Sequence, residues 1–385
     1  MVRQIGENPK VCVYAICKNE EKFIPRWIES LREADYIVVL DTGSTDNSVQ
    51  ILKGYSPLVH VEQKVYDDFR FDVARNDSMK LIPKDADICV VSDLDHVFRP
   101  GWKETLIDAF KRGVDEVYGP IIDYTDDNEI IKWFLSKNVH PNDPRWYWER
   151  PIHEGVFYHP DENDPKEIVA ETIDSFVIEH HQDTKKDRSF YLDMLEKEYL
   201  ENASDPMCMI YYGCELSFHG RNDAAREVFL KGYNECDFTD HPDVWYQNCV
   251  NLALSYKEIN EYETALKFAL ESFDSGITTR RNIMCVANIL KDMGDFDLSL
   301  KFMKGSLKFV TEMDKSWKET KEYFEGKVYK ELGDLYRGVG IAGPSFRTNY
   351  YSLAKQESNS NLYDEDIKTS ILQFIENEFG GGNNE

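Results

Sequence analysis

Asp93 and Asp95 stand one residue apart where an apolar run, Ile88 to Val91, gives out. Two carboxylates so spaced can hold a hard divalent cation, Mn2+ or Mg2+, and leave coordination positions for the phosphate oxygens of a nucleotide. The pattern alone decides nothing. Asp-x-Asp occurs four times, at 85/87, 93/95, 295/297 and 364/366, against roughly three expected by chance in so Asp-rich a chain. Position separates them, because only the 93/95 pair ends a strand-like run at the edge where a sheet would receive a ligand. The plain alternative is a strand-end turn with solvated Asp. Other polar groups recur at equivalent places: Asn19 and Glu20 after Val11 to Cys17, Asp41 after Tyr36 to Leu40, and Arg75 in the helix that precedes Ile88. Each is an ordinary cap or surface charge by itself. Jointly they converge on one cleft.

Two downstream segments add chemistry. Arg145 to Gly155 packs Trp146, Tyr147, Trp148, two arginines and the pair His153-Glu154 into eleven residues. Aromatic faces suit sugar rings and peptide side chains, though clustered aromatics also fill cores. Glu154 is a carboxylate that could act as a general base, with Asp123, Asp126 and Asp127 in reserve, and Trp146, Trp148 and His153 are candidates for acceptor or sugar contact. His180 and His181 follow the apolar run Phe176 to Ile178. Neutral imidazole can serve Mn2+ as a ligand, although a histidine is more often packed or solvated.

The elements that must position these residues alternate. Val11 to Cys17, Tyr36 to Leu40, Leu58 to Val61 and Ile88 to Ser92 read as strands. Between them, Phe23, Ile24, Trp27, Ile28 and Leu31 share one helical face, Val49, Ile51 and Leu52 another, and Val73 to Ile82 forms a third helix. Such alternation predicts an α/β fold, a mostly parallel sheet flanked by helices. From about residue 190 helical periodicity takes over. Gly220, Asn260, Gly294 and Gly333 recur at spacings of 40, 34 and 39, preceded by Leu216, Tyr256 and Leu290 and followed by the small residues Ala225, Ala265 and Ser299. A period near 34 predicts an all-α tetratricopeptide-like stack of helix pairs, with an unrelated bundle as the alternative. The expected division is residues 1–190 for the catalytic domain and 191–345 for the helical domain. Residues 346–385 are expected to be a polar extension with one short helix and a disordered tail.

A chain of 385 residues with 71 acidic against 45 basic side chains carries a formal charge of −26. Such a surface repels polyanions, so no nucleic-acid partner is expected. The eight cysteines form no CxxC pair, which predicts reduced, buried thiols. No run of about 18 apolar residues predicts a membrane span and no basic-then-apolar leader is evident, so a cytoplasmic location is expected. Neither G-x-G-x-x-G nor G-x-x-x-x-G-K-[ST] follows a strand, which argues against dinucleotide and P-loop folds.

Four blocks in order, VCVYAICKNEEKFIPRWIESL, DTGSTDNS, FDVARNDSM and ADICVVSDLDHVFRPGW, resemble the family 2 glycosyltransferases of GT-A fold (Rossmann-like). RPIHEG and the appended repeats resemble the subgroup that includes bacterial peptide S-glycosyltransferases. The resemblance implies a UDP-sugar donor, an Mn2+ or Mg2+ cofactor, inverting transfer, and a peptide or protein acceptor that the helical domain would present, or a homodimer formed through that domain. It places Asn19, Glu20 and Asp41 at the uridine, Arg75 near the nucleotide, Asp93 at the ribose, Asp95 at the metal, Glu154 as base and His180 as a late metal ligand. Where the family often has Glu after the second Asp, this chain has His96. The competing expectations are a non-catalytic nucleotide-sugar-binding scaffold, a nucleotidyltransferase, and transfer to a polysaccharide or lipid-linked acceptor.

Overall fold

Continuous β-branched and apolar residues make Val11–Cys17 (β1) a strand buried on both faces. In the computed structural model, which describes residues 6–125, 130–161, 167–181, 189–236 and 241–306, the elements continue with α1 (Ile24–Ser30), β2 (Tyr36–Asp41), α2 (Ser48–Lys53), β3 (Val59–Gln63), α3 (Phe71–Met79), β4 (Ile88–Val91), β5 (His96–Phe98) and α4 (Trp102–Lys111). Then come β6 (Glu116–Tyr124), β7 (Ile130–Pro141), β8 (Trp146–Glu149), β9 (Gly155–Tyr158), β10 (Ala170–Thr172) and β11 (Ile178–His181). Helix α3 stops short of the expected Ile82 because Pro83 disfavours helical geometry in the residue before it. The backbone closes there in tight turns, Lys80 N–H to Asp77 O and Ile82 N–H to Met79 O.

The main sheet runs β3-β2-β1-β4-β7-β6-β11-β5, with β10 also on β6. β1 to β4 pair in parallel, as do β6 with β10 and β11. β7 lies antiparallel between β4 and β6, and β5 antiparallel to β11. Alternation along β1 splits the core. Val11, Val13 and Ala15 face α1, α2 and α4 through Trp27, Leu52, Trp102 and Leu106. Cys12 and Tyr14 face the other way, where Ile82, Trp146, Trp148 and Val156 cover the sheet. That second layer includes the antiparallel hairpin of β8 and β9.

The chain divides into two compact units between residues 188 and 189. Among the described residues the second is helical: α5 (Ser189–Glu201), α6 (Pro206–Phe218), α7 (Asn222–Glu235), α8 (Pro242–Glu258), α9 (Tyr262–Glu271), α10 (Arg280–Met293) and α11 (Phe296–Ser306). Three tetratricopeptide-like hairpins, α6–α7, α8–α9 and α10–α11, turn at Gly220, Asn260 and Gly294, all at positive φ (72°, 63°, 86°). Glycine adopts that conformation freely, and asparagine is among the side chains that tolerate it. Ala225, Ala265 and Ser299 are fully buried. Gly333, the segment 346–385 and the last part of 191–345 lie outside the described residues. Gly213 marks the close approach of α6 to α7, since a Cβ there would sit 2.4 Å from the Phe229 ring. Gly213→Ala should therefore lower the stability of the helical unit by about 1–3 kcal/mol, read as a fall in its thermal midpoint by circular dichroism.

Candidate active site

The carboxyl ends of the parallel strands are tied together by short polar side chains. Asn19, in the left-handed region at φ 57°, accepts the Thr45 N–H on Oδ1 at 2.8 Å, while its own N–H goes to Ser44 Oγ at 2.8 Å. Glu20 N–H goes to Ser48 Oγ at 2.8 Å. Asp41 is fully buried, and its Oδ1 accepts the N–H groups of Gly43 and Ser44 at 3.2 and 3.1 Å. Its Oδ2 is buried without a hydrogen-bond partner among the described residues. A buried carboxylate oxygen left in that state is costly unless a ligand donor meets it.

Helix α3 projects Arg75 into the centre. Its buried guanidinium donates from Nη2 to Asp93 Oδ1 at 2.6 Å and from Nε to Glu154 Oε1 at 3.1 Å. Nη1 has no hydrogen-bond partner among the described residues. Next to it, Asn76 clamps the hairpin in both directions, donating to Trp148 O and accepting Trp148 N–H, each at 2.8 Å. Tyr14, His140 and Trp148 close a buried network: Trp148 Nε1 donates to Tyr14 Oη at 3.0 Å and Tyr14 Oη meets His140 Nε2 at 2.8 Å. These bonds hold residues 150–154 against α3, aided by Phe71 N–H to Pro151 O at 3.0 Å. Arg150 and His153 both take positive φ, 78° and 52°, strain that non-glycine residues carry mostly where function requires it.

The expected sugar contact of Trp146 and Trp148 is corrected by their burial, 2% and 7% exposed, in the core behind the sheet. In strand β8 alternate residues point to opposite faces, so Tyr147 is the aromatic turned outward. His153 is exposed beside Glu154.

The metal-type cluster forms across three strands. Register sets His180 opposite His96 on β5 and opposite Asp123 on β6, so the three side chains share one face. His180 Nδ1 lies 2.7 Å from Asp123 Oδ1 and Nε2 lies 3.4 Å from Asp95 Oδ2. Asp95 is held by the His181 N–H on its carbonyl at 3.0 Å. His181 takes the opposite face and stacks on Tyr124. Among the described residues, Asp95, His96 and His180 are the one group of three whose ligand atoms lie within 4.8 Å of one another. One carboxylate oxygen and imidazole nitrogens suit Mn2+ and similar ions. His96 Nδ1 accepts the Asp93 N–H at 3.2 Å, so it closes the turn between the two aspartates and offers that nitrogen to a metal only in exchange for this bond. The spacing of residues had left His96 without a role, and it gave Asp123 only a place among the reserve bases. Both follow from strand register, which the sequence does not display.

Electrostatics follow the same contacts. Burial opposes charge on Asp93, yet Arg75 beside it and the neighbouring imidazoles hold its carboxyl well below the ordinary range. Burial likewise opposes charge on Asp95, and the hydrogen bond with His180 outweighs it. Burial pushes His96 down, toward the neutral form. Burial disfavours the His180 cation too, but its bonds to Asp123 and Asp95 raise it to about 10.

Residues 12–165 match the model of the family described as Glycosyl transferase family 2. Over those residues the chain is similar to the family 2 glycosyltransferases. Among solved structures, it is similar to S. aureus TarS residues 1–349 at 12% identity, covering 74% of this chain and 91% of that one with a TM-score of 0.37. It is similar to MamA at 14% identity, covering 43% of this chain and 86% of that one with a TM-score of 0.32. No curated protein matches the chain. The matched region ends its strands in the polar cluster just described, and no helix among the described residues is long and apolar enough to cross a membrane.

His180 has a consequence for stability. Its raised value means that the imidazolium stabilises the fold fully below the unfolded value of 6.5, and that this contribution fades as pH rises through about 10. With a chelator present, the thermal midpoint of the enzyme should fall between these limits. His180→Gln should flatten that part of the profile, and an unchanged slope would contradict the ion pairing.

Proposed function

We propose that this glycosyltransferase moves a sugar from a UDP-sugar to a peptide or protein side chain with inversion, in a divalent-metal-dependent reaction. The observation that carries the reading is Arg75, which joins Glu154 to Asp93 within a region matching family 2, beside the metal-type donor group of Asp95, His96 and His180. Asn19, Glu20 and Asp41 would receive the uridine, with the unpartnered Asp41 Oδ2 as an acceptor for a donor group of the base. Arg75 and Asp93 would meet the ribose and diphosphate side, and the free Nη1 of Arg75 supports that placement. Asp95 and His180 would hold Mn2+ or Mg2+, which when bound supplies the positive charge that a departing diphosphate needs. A site this acidic has little other means of neutralising it.

Glu154 accepts from Arg75 through Oε1. Its second oxygen would take the proton of the acceptor, a hydroxyl or a thiol. The acceptor atom forms its bond to the anomeric carbon from the face opposite the nucleotide. The anomeric carbon–oxygen bond breaks, and its electron pair leaves with the nucleoside diphosphate. The helical unit supports a peptide or protein acceptor, because stacked helix pairs present extended surfaces suited to such chains, and it is also the candidate surface for a homodimer. Eight free cysteines fit a reducing, cytoplasmic compartment.

Purified protein incubated with a panel of UDP-sugars, Mn2+ and candidate peptides should release UDP and gain a hexose mass on the peptide. Metal-dependent UDP-sugar binding without release, with acceptors present, would instead mark a scaffold. Asp95→Asn should remove metal-dependent turnover while the circular dichroism spectrum stays unchanged. Glu154→Gln should lower kcat by about a hundredfold to ten-thousandfold with UDP binding intact; equal losses in both would rule out the base role.

A further inference from the structure

We infer that Asp123 is a positioning residue that presents Nε2 of His180 to the metal, an inference that rests on the reading of His180 as a ligand. Asp123 sits on β6 directly across from His180 on β11 in a parallel pairing. It is 1% exposed, which removes it from any contact with an acceptor and excludes the base role that its position in the sequence left open. Its Oδ1 lies 2.7 Å from Nδ1 of His180. A carboxylate has no proton to give when ionised, so the bond fixes a proton on Nδ1, and the lone pair of a metal-bound His180 must then be on Nε2. That nitrogen faces Asp95, 3.4 Å away. The order carboxylate, imidazole, metal carboxylate is the arrangement by which outer groups fix the tautomer and ring orientation of a metal-binding histidine and raise its donor strength.

The strand pattern also decides between the two adjacent histidines. His181 pairs in register with Tyr124 and stacks on it at 5.1 Å, with Nε2 near Glu179. Only His180 therefore has a carboxylate behind it and another in front.

The test uses the full chain and Mn2+ alone. Free Mn2+ is counted by electron paramagnetic resonance to give Kd, and electron spin echo modulation from 14N reports a coordinated imidazole. The wild type should bind Mn2+ with a nitrogen signal, and His180→Gln should lose that signal. Asp123→Asn is isosteric and keeps a neutral acceptor. It should weaken Mn2+ binding by about 10- to 100-fold and perturb the nitrogen coupling, with an unchanged near-ultraviolet circular dichroism spectrum. Asp123→Ala should weaken it further, and this variant decides the matter if the amide variant misfolds. If Asp123 variants bind Mn2+ with wild-type affinity and coupling while His180→Gln loses the signal, the inference is overturned and the metal reading stands. If the wild type shows no Mn2+ binding, or keeps its nitrogen signal in His180→Gln, both fail together.

Discussion

Four carboxylates, Asp93, Asp95, Asp123 and Glu154, are gathered at one end of the strands of a protein that already carries a formal charge of −26. Their mutual repulsion is the constraint on which the site depends. The fold answers it with two cations set between pairs of anions: Arg75 between Asp93 and Glu154, and His180 between Asp95 and Asp123. Both are buried enough for these contacts to be weakly screened. Two cations against four anions still leave negative charge in excess. A divalent ion held by a neutral His180 would exchange one positive charge for two and reduce that excess, and under the proposed reading a nucleotide diphosphate would enter together with such an ion. The proposed chemistry and the stability of this end of the sheet thus share one electrostatic origin.

The first strands were legible because their residues obey simple rules. Val11–Cys17 and Ile88–Val91 are buried on both faces and read as continuous apolar runs, and the polar residues that follow them fall at the strand ends. The repeat turns were legible for a similar reason, since Gly220, Asn260 and Gly294 share a backbone conformation that few residues accept. Strands β6 and β7 were not. Gly119 and Pro120 interrupt β6, and β7 mixes Lys132, Ser136 and Lys137 with apolar residues, so neither shows a clean alternation.

What the sequence could not carry was adjacency across the sheet. His96, Asp123 and His180 are far apart along the chain and become neighbours only through the antiparallel pairing of β5 and the parallel pairing of β6 with β11. The aromatic segment gave the opposite outcome. Trp146 and Trp148 looked suited to a sugar, but two-residue periodicity turns both into the core, where Trp148 lies under Arg75 at 5.4 Å and anchors to Tyr14. Their part is to hold the loop that carries Glu154 in place. In each case local composition suggested a chemistry, and strand geometry assigned the side chain to it or withdrew it.

The central claim is that this carboxylate cluster receives a nucleotide diphosphate only together with a divalent cation. Calorimetric titration of the protein with UDP, in chelator and again in Mn2+, tests it directly. The account predicts negligible heat in chelator and saturable one-to-one binding with Mn2+ present. Equal UDP affinity in both conditions would contradict it.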